Sequence, residues 1–296
     1  MKKLLIATTA LVATAGVAAA DVKVSGNGRM GIVYNGADLN FSSRVRVAFT
    51  LSGETDGGLS FGGSIRADNA GGGANGSAGE IFISGAFGKL AMGDVVGAAE
   101  QVVGNLPEIG FQDISGGGND MTYITGDGAL TAANNPVALY TYTTGGLTFA
   151  LSMNDGKVSN GSTPDTQEYA VGVKYSFGDF SVALGYEVAD PVAGASSKHL
   201  ILGGSAKFGT TTVNAIIGDG SGAISGFKQY GLGVTSTFDA ITVKAFAKRT
   251  EVGTTKVSDY GIGAAYSLGG GATVEGGFAK TTGTKTRADL GLKFTF

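Results

Sequence analysis

The sequence predicts an all-β chain closed into a barrel of about sixteen antiparallel strands that crosses a bilayer. Three observations predict it. Period-two alternation of apolar and polar residues recurs almost everywhere after Asp21, and no later segment carries a sustained 3.6-residue apolar stripe. Short and long joints alternate between these runs, as they do in an even-numbered ring of hairpins. The chain holds 53 Gly and no Cys, so disulfides do not staple it and closure must satisfy its backbone instead.

The elements follow in order. Residues 1–20 read as a cleaved leader: Lys2 and Lys3 form a positive end, Leu4 to Val17 is weakly apolar, and Ala18-Ala19-Ala20 offers a small-residue cleavage site. The run is short and threonine-rich for a membrane-spanning helix. Removing twenty residues from 296 leaves 276 with 19 basic and 24 acidic side chains, a net charge of −5. Such a balance argues against a nucleic-acid partner. No Pro-rich, Ser-rich or charged linker divides residues 21–296, which read as one domain.

The clearest hairpin lies at 168–188. Tyr169, Val171, Val173, Tyr175 and Phe177 share one face, Gly178-Asp179 turns the chain, and Phe180, Val182, Leu184, Tyr186 and Val188 resume it. Tight joints recur at Thr55-Asp56-Gly57, Phe87-Gly88-Lys89, Gly145-Gly146, Phe208-Gly209-Thr210, Phe238-Asp239 and Gly269-Gly270. Longer polar segments lie near 70–78, 155–164, 190–197, 219–225, 251–256 and 281–285. Strands of nine to a dozen residues suit a tilted crossing. A soluble sandwich would show the same alternation, so the polar face decides; its many Gly and Ala residues are expected to leave a lumen open. Tyr34, Tyr175, Tyr186, Tyr230, Tyr260 and Tyr266 stand at apolar parity near strand ends, where aromatic girdles belong.

One connection departs from the pattern. From about Gly97 to Pro136 the chain becomes Gly-rich and carries Glu100, Glu108, Asp113, Asp120 and Asp127 without one Lys or Arg. Arg29, Arg44, Arg46 and Arg66 sit in the first three predicted strands at lumen-facing parity. One reading folds the acidic loop into the lumen opposite an arginine wall, producing a transverse field. The other leaves an external loop whose acids serve solubility.

The Ala-rich leader, "DVKVSGNGRMGIVY", "FSSRVRVAFTLSGETDGGLSFGGSIRA", a long third loop and the final "ADLGLKFTF" together resemble the general-diffusion porins of purple and related α-proteobacteria, the Rhodobacter type. The resemblance covers essentially the whole mature chain. It implies a trimeric sixteen-stranded barrel in the outer membrane of a Gram-negative cell, passing small hydrophilic solutes and ions. Its third loop would narrow the pore against Arg29, Arg44, Arg46 and Arg66. A structural calcium ion would need six to eight oxygen ligands, which scattered carboxylates on a Gly-rich loop signal weakly; no other cofactor is implied.

Other signals fall away. "GNGRMG" at Gly26–Gly31 spells a dinucleotide fingerprint but lies inside a strand with no helix following. "NGS" at Asn75 and Asn160 reads as a polar turn. His199, the only histidine, has no orienting partner by spacing and reads as a solvated or interface residue, so the chain is not expected to be an enzyme. The rival function is a structural or adhesin-like barrel, though its loops lack the aromatics and arginines of binding loops. The ending alternates through Leu290, Leu292, Phe294 and Phe296. It is expected to seal against the strand that begins at Asp21, with the two terminal charges close. By resemblance, the terminal Phe is what outer-membrane assembly machinery recognises.

Overall fold

The computed structural model describes residues 20–68, 76–126, 137–154 and 166–296. Nearly all of the expected leader therefore lies outside the described residues. The strands are β1 (Asp21–Tyr34), β2 (Leu39–Glu54), β3 (Ser60–Asp68), β4 (Gly76–Gly85), β5 (Gly88–Gly93), β6 (Val137–Thr144), β7 (Leu147–Asn154) and β8 (Thr166–Phe177). They continue with β9 (Phe180–Pro191), β10 (Ser197–Phe208), β11 (Thr211–Gly222), β12 (Phe227–Phe238), β13 (Ile241–Val252), β14 (Thr255–Gly269), β15 (Ala272–Thr281) and β16 (Arg287–Thr295). Each strand pairs with its sequence neighbours and β1 pairs with β16, closing an antiparallel barrel.

The tight joints form because their residues accept positive φ. Gly145 (54°) and Gly146 (85°) make a two-residue hairpin turn between β6 and β7, and Asp239 (49°) serves the same purpose between β12 and β13. Two joints expected to be longer are short. β11 runs through Asp219 to Gly222, and β13 and β14 are separated only by the turn after Val252. Polar outward residues there continue the ladder because they stand at the rim of the apolar band.

The barrel's polarity is inside out relative to a soluble domain. Val171, Leu184, Leu202, Leu232, Ile262 and Leu290 are all exposed, and they belong to one outward parity around the ring. So continuous an apolar exterior requires lipid rather than water. Tyr34, Tyr186, Tyr230 and Tyr260 stand outward toward the rim of the longer connections, and Tyr175 and Tyr266 toward the opposite rim.

The seam differs in register from expectation. Phe296 and Gly26 exchange backbone hydrogen bonds, the Phe296 N–H donating at 2.9 Å. Asp21 stands five residues further along β1, opposite Ser52 of β2. At about 3.3 Å per residue the offset sets Asp21 well away from Phe296, so an amino group freed at Asp21 would not meet the terminal carboxylate. A Cβ built at Gly26 or Gly28 would lie 3.7 and 3.6 Å from the Phe296 ring. The terminal aromatic therefore lies against these outward glycines at ordinary contact distance.

Candidate functional site

The inward faces of β1, β2 and β3 carry the basic cluster. Register pairs Arg29 with Arg44, Ala48 with Arg66, and Arg46 with Asp68. All four arginines therefore share one side of adjacent strands. Arg46 grips Asp68 with two donors at 2.6 and 2.7 Å, and Arg44 donates to the Asn27 side-chain oxygen at 2.9 Å. Asp68 escaped the sequence reading; its signal was an even-numbered acid two residues after Arg66. Like charges this close need water or counter-charge around them.

The connection after β5 is not structureless. It begins at Asp94 and contains a six-residue helix, α1 (Ala98–Val103), which packs on β7 to β10. Ala98, Ala99, Val102, Leu106, Ile109, Phe111, Ile114 and Met121 are buried. Their sockets are inward glycines. A Cβ at Gly185 would meet Ala99, one at Gly172 would meet Val102, and one at Gly231 would meet Met121 and Leu106. Ile109 fills the space over Gly261, Gly263 and Gly277, and Phe111 that over Gly31 and Gly291. The small inward residues expected to keep the lumen open therefore admit the loop, because backbone without Cβ offers a concave bed.

Polar wall side chains then take up the loop's backbone groups. Lys248 donates to the Asp120 carbonyl at 2.7 Å, Arg287 donates to the Ser115 carbonyl, and Asn214 to that of Asn105. Ser152 accepts from Ala98 N–H at 2.8 Å, Asp289 from Gln112 N–H, and Glu168 from Gly126 N–H. These partners spare the buried backbone groups the cost of going unpaired. The loop also braces itself: Leu106 and Asn119 bond reciprocally, and the Tyr123 hydroxyl donates to the Gly104 carbonyl at 2.6 Å. Burial, with Glu100 and Glu187 adding, holds that hydroxyl protonated far above the usual phenol range.

The loop acids divide. Glu108 and Asp113 both act electrostatically on Asp120, and Glu108 also acts on Arg29. Asp120's carboxyl is pushed above the ordinary aspartate range, chiefly by desolvation, with Asp113 and Glu108 adding and Lys248 opposing. Glu100 lies apart, accepting from the Asn105 amide at 2.9 Å. Asp127 is outside the described residues. Ser42 donates to the Gln112 side-chain oxygen, carrying the loop across to β2 beside the arginines.

His199 is neither solvated nor at a free surface. It is fully buried between Glu187, 2.7 Å from its Nδ1, and Gln229, 3.0 Å from its Nε2. Its partners come from β9 and β12, distant in sequence, so spacing along the chain could not show them.

A profile described as Gram-negative porin matches residues 7–286. The chain belongs to the Gram-negative porin family. This porin is 46% identical to a porin of Rhodobacter capsulatus over 93% of its own length and 100% of the relative's. A porin of Fuscovulum blasticum is 25% identical, again with 93% and 100% covered. A porin structure refined at 1.8 Å resolution superposes with a TM-score of 0.85 at 45% identity, covering 93% of this chain and all of that one. The porin is thus an outer-membrane barrel supporting a diffusion channel. Among its described residues no three His, Cys, Asp or Glu gather as a metal site.

Proposed function

We propose that this porin is a passive, water-filled channel for small hydrophilic solutes and ions, constricted where the loop after β5 faces Arg29, Arg44, Arg46 and Arg66. The observation that carries the reading is one-sided packing. The loop's apolar side fills glycine sockets from β8 round to β1, while Glu108 and Asp120 remain exposed and Glu108 acts electrostatically on Arg29. Fixed acids on one bank and fixed guanidinium groups on the other give a transverse field that orders water and sorts solutes by size and charge. The net −5 of residues 21–296 and the acidic loop motivate a mild cation preference. No covalent chemistry or cofactor enters the transport step.

Three further parts belong to this reading: cleavage of the leader after Ala20, assembly as a homotrimer, and recognition of terminal Phe296 by outer-membrane assembly machinery. Purified protein in planar bilayers should conduct in steps grouped by threes, with graded neutral solutes showing a sharp size cut-off. Replacing Arg44 and Arg46 with Gln should move the reversal potential toward greater cation selectivity. A reversal potential and cut-off that both stay put would remove these residues and the loop from the constriction.

A further inference from the structure

We propose that His199 is a proton-sensitive positioning residue. Kept neutral, it couples two side-chain clamps that hold the constricting loop on the wall, and a proton on its ring releases one of them. The inference rests on the reading that this loop sets the bore.

The first clamp is Gln229. Its Oε1 accepts from Thr122 N–H at 2.8 Å and its Nε2 donates to the Thr122 carbonyl at 2.9 Å. A backbone N–H needs an acceptor and a carbonyl needs a donor, so this pair determines which end of the amide is which. The second proton on Nε2 then points at His199 Nε2, 3.0 Å away. That ring nitrogen must accept. In a neutral imidazole the other nitrogen carries the proton, so Nδ1–H donates to Glu187 Oε2 at 2.7 Å.

Glu187 is the second clamp. Besides His199, its carboxylate accepts from Ile124 N–H, from Thr125 N–H and from the Thr125 hydroxyl, the last at 2.7 Å. Four donors match the roughly four lone-pair sites of a carboxylate. Residues 122–125 are therefore tied to β9 and β12 through groups that meet at His199.

A proton on Nε2 would set two donors against each other. Turning the Gln229 amide over relieves the clash but presents NH₂ to Thr122 N–H and oxygen to the Thr122 carbonyl, losing both loop bonds together. Glu187 on β9 faces Nδ1, which already donates to it, so the clash falls on Gln229. Among the described residues, the other groups placed against the ring are uncharged. β11 presents Gly218 and Gly220, β12 presents Gln229 and the Phe227 ring edge-on at 5.6 Å, and Tyr123 of the loop is engaged with Gly104. Glu168 on β8 is the next carboxylate along the wall and holds Gly126. Gly218 makes the arrangement sterically feasible, since a Cβ there would lie 2.5 Å from His199 Nε2 and 2.7 Å from Gln229 Nε2.

Because the chain has a single histidine, the folded protein in detergent, labelled with ¹⁵N-histidine, shows one imidazole. At neutral pH its Nδ1 should be protonated and its Nε2 bare. On acidification the ring should become an imidazolium over the interval in which single-channel conductance steps and the Thr122–Gly126 amides lose exchange protection. His199→Gln should lose the step. Gly218→Ala, which alters no titratable group, should bring the acid conductance to neutral pH. The proposal is overturned by a protonated Nε2 at neutral pH, by a step that persists in His199→Gln and so belongs to Glu187 or Glu168, or by flat conductance while the wild-type ring titrates. The graded-solute measurement above fails on its own if the loop does not set the bore. With that measurement standing, a flat conductance removes only the histidine's role.

Discussion

Ile109→Ala should undock the loop after β5 while leaving the barrel intact. Ile109 is fully buried, with its side-chain carbons 2.5–3.0 Å from the positions that Cβ atoms would take at Gly261, Gly263 and Gly277. Alanine removes three carbons, about 2.4 kcal/mol at ~0.8 kcal/mol per methylene. The socket is strand backbone, which cannot collapse into the space, so a cavity contribution raises the cost to roughly 3–4 kcal/mol. At 1.4 kcal/mol per tenfold the undocked population rises about 10²- to 10³-fold. Hydrogen exchange read by mass spectrometry on a peptide spanning Leu106–Ile114 is the assay, because Ile114 N–H is bonded to the Ile109 carbonyl and Gln112 N–H to Asp289. Protection of that peptide should fall by the same factor, while peptides from β14 and β15, held by their own ladder, stay protected. Loop protection within about threefold of wild type would refute the glycine-socket argument. So would an equal loss in the strands, which would make Ile109 part of the barrel's stability.

Other outcomes follow from the same geometry. Asp120 takes up its proton at higher pH than in the unfolded chain, so its charge weakens the fold above its native pKa and that penalty vanishes as the pH falls below its unfolded value. Asp120→Asn should raise the thermal unfolding temperature in detergent at neutral pH and have no such effect in strong acid. Gly110 has a φ of +82° and faces Asp289, whose carboxyl carbon a Cβ would approach to 2.5 Å. Gly110→Ala should therefore loosen the Phe111–Gln112 segment by at least ~1 kcal/mol, seen as noisier open-channel current. Deleting Phe296 removes the aromatic over Gly26 and Gly28 and the last bonds of the seam; assembled protein in the outer membrane should fall, measured by heat-modifiable gel migration.

Much of the fold was legible because a strand writes its two faces as alternate letters, and a one-residue slip would turn every apolar side chain into the lumen. The arginines followed from the same parity: even-numbered positions of β2 face inward wherever Val45, Val47 and Phe49 face out. The loop was harder to read. Its apolar residues from Ala98 to Ile114 follow no single period, since they fill sockets spaced by the curvature of the wall rather than by a helix or strand of their own. His199 looked isolated because its partners lie twelve and thirty residues away in sequence.

By itself the sequence determined the all-β class, the count and facing of the strands and the basic patch, since alternation and turn chemistry are local and repeat along the chain. Only the tertiary structure decided that the inward glycines are sockets and not free lumen, that Phe296 meets Gly26 while Asp21 runs on past it, and that His199 stands between two clamps. Those facts depend on ring closure, stagger and the path of one loop across the faces of strands far apart in sequence, and no local pattern encodes a distance between them.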